Sequence, residues 1–250
     1  MKITLSSIIL FPFYLFVATT YADNGIFSQQ EQEFSVVLGA SRIIYTPGSK
    51  GAVLPVLNEQ RYPMLVQTLI TPEKEGGHSP SGRFSAVPPL FRLDGNQRAK
   101  IRIAHTGGEF PSDRESLYWV CVKGIPPSGD DNWAGDQNPT RATLRVQMAI
   151  NNCIKLLVRP KELGGQDPLI MAERLTWRVD SKGLTAVNPT PFYINLSALT
   201  VGDKAVEDLR HIAPFASHTF ALPKGVSGEV QWRAISDLGG EGPLLHTAVP

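Results

Sequence analysis

The sequence ATLRVQMAINNCIKLLVRP, at residues 142–160, alternates apolar side chains with mostly polar ones. Successive side chains of a β-strand point to opposite faces, so this period of two predicts one long strand with an apolar face. Pro160 cannot continue a hydrogen-bonded ladder and marks its end. The apolar face must cover either the core of this protein or the surface of another. Its members are Ala142, Leu144, Val146, Met148 and Ile150.

Shorter runs rich in Val, Ile, Leu, Phe and Thr recur through the chain and are separated by Gly, Pro, Asn and Asp. No comparably long helical periodicity accompanies them, which predicts an all-β protein built as antiparallel sandwiches. A Gly- and Pro-containing segment, KELGGQDPL, follows Pro160, and a second series of β runs comes after it. We therefore expect one domain over residues 23–160 and another over residues 161–250.

The first 22 residues are typical of a secretory signal peptide. Lys2 precedes an apolar run, and the segment ends in small residues at TTYA. No later stretch approaches the roughly 20 apolar residues of a membrane span. The sequence thus predicts an exported protein that does not insert into a membrane.

Net charge and cysteine content limit the kinds of partner and the cellular compartment expected for this protein. The whole chain has 24 basic and 23 acidic residues, and the predicted signal peptide holds one of the bases, Lys2. Near-neutrality argues against a nucleic-acid partner held by bulk charge. The two cysteines, Cys121 and Cys153, are an even number in an exported chain, which favours a disulfide.

Few residues suggest catalysis or metal binding. The five histidines are scattered without metal-ligand spacing, and no nucleophile elbow or phosphate-binding glycine loop is present. The acidic loop around Asp130 and Asp136 lacks the Glu that closes a calcium loop. We predict a protein that is not an enzyme and needs no cofactor or metal. One charge stands out, because Lys155 lies among Ile154, Leu156 and neighbouring apolar residues, where an ammonium needs an anion.

Several segments together resemble one family, the PapD-like periplasmic pilus chaperones, in the right order over nearly the whole mature chain. The segments are ASRIIYTPGSKG, PPLFRLDGNQRAKIRI, SLYWVCVKGIPP, CIKLLVRP, NPTPFYINLSAL, IAPFASHTF and ISDLGG. The resemblance implies two immunoglobulin-like domains in a boomerang arrangement. Their cleft would hold fibre subunits that lack their last strand, and the chaperone would lend its own strand to complete them.

The resemblance also implies roles for particular residues. The apolar side chains of the opening strand, Leu144, Val146, Met148 and Ile150, would fill the groove of the subunit. Arg42 and Lys155 match the family's cleft pair, which grips the terminal carboxylate of the subunit. The family's inter-domain charged triad would be Glu115, Arg159 and Asp237.

Two further features resemble the subclass of these chaperones that has a long loop between strands F and G. One is the segment SGDDNWAGDQNPTR, with a disulfide between Cys121 and Cys153 implied at its base. The other is an extended leader before Arg42, in which Phe34, Val36 and Leu38 would form a second binding strand. The implied partners are subunits of pili or capsule-like adhesive fibres and an outer-membrane usher. The implied location of this protein is the periplasm, where it would meet both. Self-association without a client is a further expectation.

An alternative is a secreted immunoglobulin-like adhesin or structural fibre component. Such a subunit would lack the Arg42 and Lys155 pair and would carry a donor extension at its own N-terminus. Here the apolar stripe is internal, which favours the chaperone.

Overall fold

A computed structural model describes residues 28–73, 80–127, 143–202, 204–222 and 225–248 of the chain, with only the backbone at residues 28–30 and 143–145. The predicted signal peptide and the acidic loop after Pro127 lie outside these ranges. Within them the protein is almost entirely β-structure, as predicted.

The first domain is a sandwich of two sheets. A five-stranded sheet has the order β3-β11-β9-β5-β7, and a four-stranded sheet has the order β2-β4-β8-β6. Its core is lined from both sheets, for example by Leu54 and Ile101 on one side and Val120 and Leu156 on the other. The strands of this domain are β1 (Ser28–Phe34), β2 (Val37–Leu38), β3 (Arg42–Tyr45), β4 (Ala52–Leu57), β5 (Met64–Pro72), β6 (Phe84–Val87), β7 (Leu90–Leu93), β8 (Arg98–His105), β9 (Ser116–Ile125), β10 (Thr143–Ala149) and β11 (Asn151–Val158).

The second domain is a smaller sandwich that follows a 3₁₀ turn at Lys161–Leu163 and the short helix α1 (Pro168–Ala172). Its sheets have the orders β12-β13-β16 and β15-β14-β17-β18. The rings of Trp177 and Trp232 lie 5.2 Å apart in the core, and the Trp232 indole donates to the Ala172 carbonyl. The strands are β12 (Thr176–Asp180), β13 (Gly183–Val187), β14 (Leu196–Val201), β15 (Lys204–Ala205), β16 (Ser217–Phe220), β17 (Val230–Ala234) and β18 (Leu245–Thr247).

The long strand predicted from the opening stretch is divided in two at Ile150. After this residue, β11 pairs with β9 and β3 inside the five-stranded sheet. Before it, β10 pairs in parallel with β1 and with no other described strand, forming a separate two-stranded sheet that we call the arm. The division occurs because β9 provides the last partner for this segment at Gly124, whose amide donates to the Ile150 carbonyl.

Candidate functional site

The two predicted cleft cations are direct neighbours. β3 and β11 run parallel with Arg42 opposite Lys155, so both side chains leave the same face of the sheet. From the second domain, Asn195 accepts a hydrogen bond from the Lys155 ammonium. The same ammonium lies 5.6 Å from the centre of the Trp119 ring. The pair therefore lies where the two domains meet.

Burial makes this pair of charges costly. It lowers the pKa of Lys155 to about 8; the positive charge of Arg42 acts in the same direction and Glu73 opposes it. Burial also lowers the pKa of Arg42, against the attraction of Asp237 and Glu115. The Nε of Arg42 is buried without a hydrogen-bond partner among the described residues. A carboxylate entering here would supply the missing acceptor and offset the repulsion between the two cations.

Glu73, at the end of the long strand β5, reaches the cleft from the first domain and is held from the second. Its two carboxylate oxygens lie 2.8 Å from the Tyr193 hydroxyl and 2.5 Å from His211 Nε2. Burial, followed by the negative charge of Glu73, raises the pKa of Tyr193 well above its usual range. Sequence patterns gave no signal for Glu73, Tyr193, Asn195 or His211, because each acquires its role only when the two domains meet.

The predicted charged triad is assembled where the end of β11 meets the second domain. Arg159 donates through Nε to Glu115 at 2.7 Å and through its two terminal nitrogens to Asp237 at 2.6 and 2.7 Å. Glu115 also accepts from the Tyr193 amide at 2.8 Å. Arg159 and Glu115 are buried, with 7% and 2% of their surfaces exposed. The triad thus ties the end of β11 to the second domain.

The disulfide between Cys121 and Cys153 is confirmed. The two residues are direct partners in the β9–β11 ladder, and their sulfur atoms are bonded. The bond joins the two strands three residues from Ile150, where the arm begins. It therefore fixes the base of the arm to the first domain.

The arm exposes the middle of the predicted donor stripe. Val146 is 36% exposed and Met148 is 45% exposed, whereas Ile150 is half-buried; the Leu144 side chain lies outside the described part. By contrast, the even-numbered residues of β11 that follow, Ile154 and Leu156, are buried in the core. The stripe is thus partly core and partly free apolar surface.

The predicted second binding strand is divided between β1 and β2, and its apolar side chains face the first core. Phe34 and Val36 are fully buried in the first core, and Leu38 packs against that core. Alternation along β1 leaves Glu31 and Glu33 exposed, and no sequence pattern had singled out these two residues. Phe34 packs on Tyr62 with ring centres 5.0 Å apart. A binding role for this segment remains a prediction.

No group of three or more His, Cys, Asp or Glu side chains in the described ranges is arranged to hold a metal ion. Nor is any helix there long and apolar enough to cross a membrane.

Two family models match the chain, one for each domain. Residues 35–164 match the pili and flagellar-assembly chaperone PapD N-terminal domain, and residues 170–245 match the pili assembly chaperone PapD C-terminal domain. The two matches together span most of the chain, and the boundary between them falls in the linker after Pro160.

Individual relatives agree with the models. The chaperone protein caf1M of Yersinia pestis is 44% identical over 96% of this chain and 94% of its own length. The crystal structure of the Escherichia coli chaperone DraB has a TM-score of 0.76 at 45% identity, covering 89% of this chain and all of that one. A Salmonella enterica structure of the SafA pilin in complex with the SafB chaperone has a TM-score of 0.78 at 41% identity, with the same coverage.

These relatives are chaperones rather than fibre components. They confirm the predicted two-domain all-β fold, the predicted function in pilus assembly and the periplasmic location, against the alternative of an adhesin or fibre component. The chain belongs to the PapD-like family of pilus-assembly chaperones.

Proposed function

We propose that Arg42 and Lys155 bind the terminal carboxylate of a fibre subunit while β10 is lent to the subunit as its missing strand. The observation that carries this proposal is the pairing of the two cations at one register position, where the buried Arg42 Nε has no hydrogen-bond partner in the described part of the chain. Charged hydrogen bonds to a buried carboxylate are strong because the site is partly shielded from water. An anion of this kind satisfies both cations at once.

The spacing between anchor and stripe supports the same mechanism. Met148 lies seven residues before Lys155, which corresponds to about 23 Å of extended chain at roughly 3.3 Å per residue. A subunit strand that starts from the anchored carboxylate would therefore reach Met148 after about seven residues. Since a slip of one residue would turn the apolar side chains away from the groove, the anchor sets the register of the donated strand.

The fixed angle between the domains is part of this function. The triad of Glu115, Arg159 and Asp237 holds the second domain against β11, and Asn195 of that domain holds the Lys155 ammonium. We infer that the chaperone acts by stoichiometric binding, without catalysis, and hands its subunit to an outer-membrane usher. Family membership supports this inference.

The test is recovery of subunits from the periplasm with Arg42→Ala and Lys155→Ala variants. Each lost charged hydrogen bond is worth about 1.5 to 3 kcal/mol, so capture should weaken roughly ten-fold to a hundred-fold. Mass spectrometry of the proteins that co-purify with the wild-type chaperone identifies the subunit, and its protection from proteolysis measures capture.

Lys100→Ala is the matched control, since Lys100 is an exposed cation on β8 of the other sheet. It should capture subunits as the wild type does. Normal protection of the subunit by both cleft variants would refute the anchor.

A further inference from the structure

The arm carries two different rows of side chains on one face. In its parallel ladder, Glu31 is opposite Val146 and Glu33 is opposite Met148. Register partners in a sheet point to the same side, so the apolar row of β10 has an acidic row beside it, about 4.8 Å away. All four side chains are exposed.

The acidic row is held firmly in this position. The Tyr62 hydroxyl donates to the Glu33 carbonyl at 2.8 Å, and the Ile150 amide donates to the Phe34 carbonyl at 3.0 Å. The Asn152 side chain donates to the Val36 carbonyl at 2.9 Å. The end of β1 and the residues after it are thus fixed to the first domain beside Ile150 and Asn152, so the β1 backbone stays next to the donor row.

A subunit that receives β10 must therefore meet Glu31 and Glu33 as well. A carboxylate brought against an apolar or acidic surface loses hydration, whereas a carboxylate that meets Lys or Arg gains a charged hydrogen bond. Opposite charges also speed the encounter of two proteins, and like charges slow it.

We propose that the β1 row makes the chaperone selective for fibre subunits that carry lysine or arginine along the groove edge that meets β1. This inference rests on the proposed donation of β10 and adds the charge of the client to it. The apolar row supplies affinity for any open groove, and the acidic row discriminates among such grooves by charge.

The experiment uses the subunit that co-purifies with the wild-type chaperone. This subunit is diluted from denaturant into the full-length chaperone, and the rate of complex formation is followed at about 20 mM and about 0.5 M salt, since salt screens exposed charges. The test variant carries Glu31→Lys and Glu33→Lys. The matched control carries Glu173→Lys and Glu207→Lys, which make the same change of net charge at exposed sites of the second domain.

At low salt the β1 variant should associate at least about ten-fold more slowly than the control, and at high salt the two should agree within about two-fold. Replacing the facing lysine or arginine of the subunit by glutamate should restore the rate of the β1 variant. Thermal unfolding should be the same for both chaperone variants, because the substituted side chains are exposed.

Equal association rates for the two variants at low salt would overturn the inference and leave the proposed function intact. Failure of the wild type to capture any subunit would refute the proposed function, and the inference with it.

Discussion

Capture of subunits should weaken as the pH rises through about 8, because the Lys155 ammonium then loses its proton. Burial and the neighbouring Arg42 lower the pKa of Lys155 to about 8 in the client-free chaperone. About ten-elevenths of the molecules carry the charge at pH 7 and about one-eleventh at pH 9, so apparent affinity should fall about ten-fold between these values. This fall in affinity is measured by titrating the chaperone with a carboxylate ligand at equilibrium, over pH 6.5 to 9.5.

Lys155→Arg is the control for this prediction, since a guanidinium stays charged throughout that range. Its affinity should be nearly independent of pH, even if it is lower overall.

The stability of the client-free protein should change in the opposite direction. The unfolded chain holds the Lys155 proton to higher pH than the folded chain, so this group makes folding more favourable as the pH rises from about 8 towards the ordinary value for lysine. If the affinity of wild type and that of Lys155→Arg changed equally with pH, the assignment of this pH dependence to the Lys155 ammonium would be refuted.

Two further substitutions test the arm and the domain contact. Met148→Asp puts a charge on the donated face and should weaken capture at least about a hundred-fold, while thermal unfolding stays close to wild type because the side chain is 45% exposed. The control is Gln147→Asp, on the other face of β10, which should capture subunits normally. Normal capture by Met148→Asp would show that the stripe is not donated. Glu115→Ala leaves the buried Arg159 with only part of its counter-charge and should lower the free energy of unfolding by about 3 to 5 kcal/mol in denaturant titrations. Asp94→Ala, which breaks an exposed ion pair, should cost under about 1 kcal/mol, and an equal loss in the two variants would contradict a special role for the triad.

Local pattern predicted the strands but could not say which surface an apolar face covers. Leu156 and Met148 are both apolar, even-numbered residues of the stretch 142–160, yet Leu156 is fully buried and Met148 is exposed. The difference arises because β9 ends as a partner at Gly124, and the extent of a neighbouring strand is a tertiary property. The resemblance to a family, rather than periodicity, predicted that β10 is donated.

The placement of Phe34 and Val36 has a similar origin. Apolar residues of a strand were expected to face the client, and in the client-free protein these two side chains belong to the first core. Once they point inward, the alternation of β1 leaves Glu31 and Glu33 outside. The cleft was partly predictable, because Arg42 and Lys155 lie in recognisable segments. Asn195 was not, because its contact with Lys155 spans 40 residues and two domains.

The parallel pairing of the arm also sets the order of events during folding. Its strands come from distant parts of the chain, and the side chains of Gln32 and Gln147, which touch across it, are 115 residues apart in sequence. Closing so long a loop is costly until the intervening strands have folded and brought the ends together. The arm, like the β3–β11 pair that also joins distant parts of the chain, therefore forms late in the folding of the first domain. A chain still emerging into the periplasm cannot yet pair β10 with β1, so a chaperone presents the arm to a subunit only when most of its own first domain has folded.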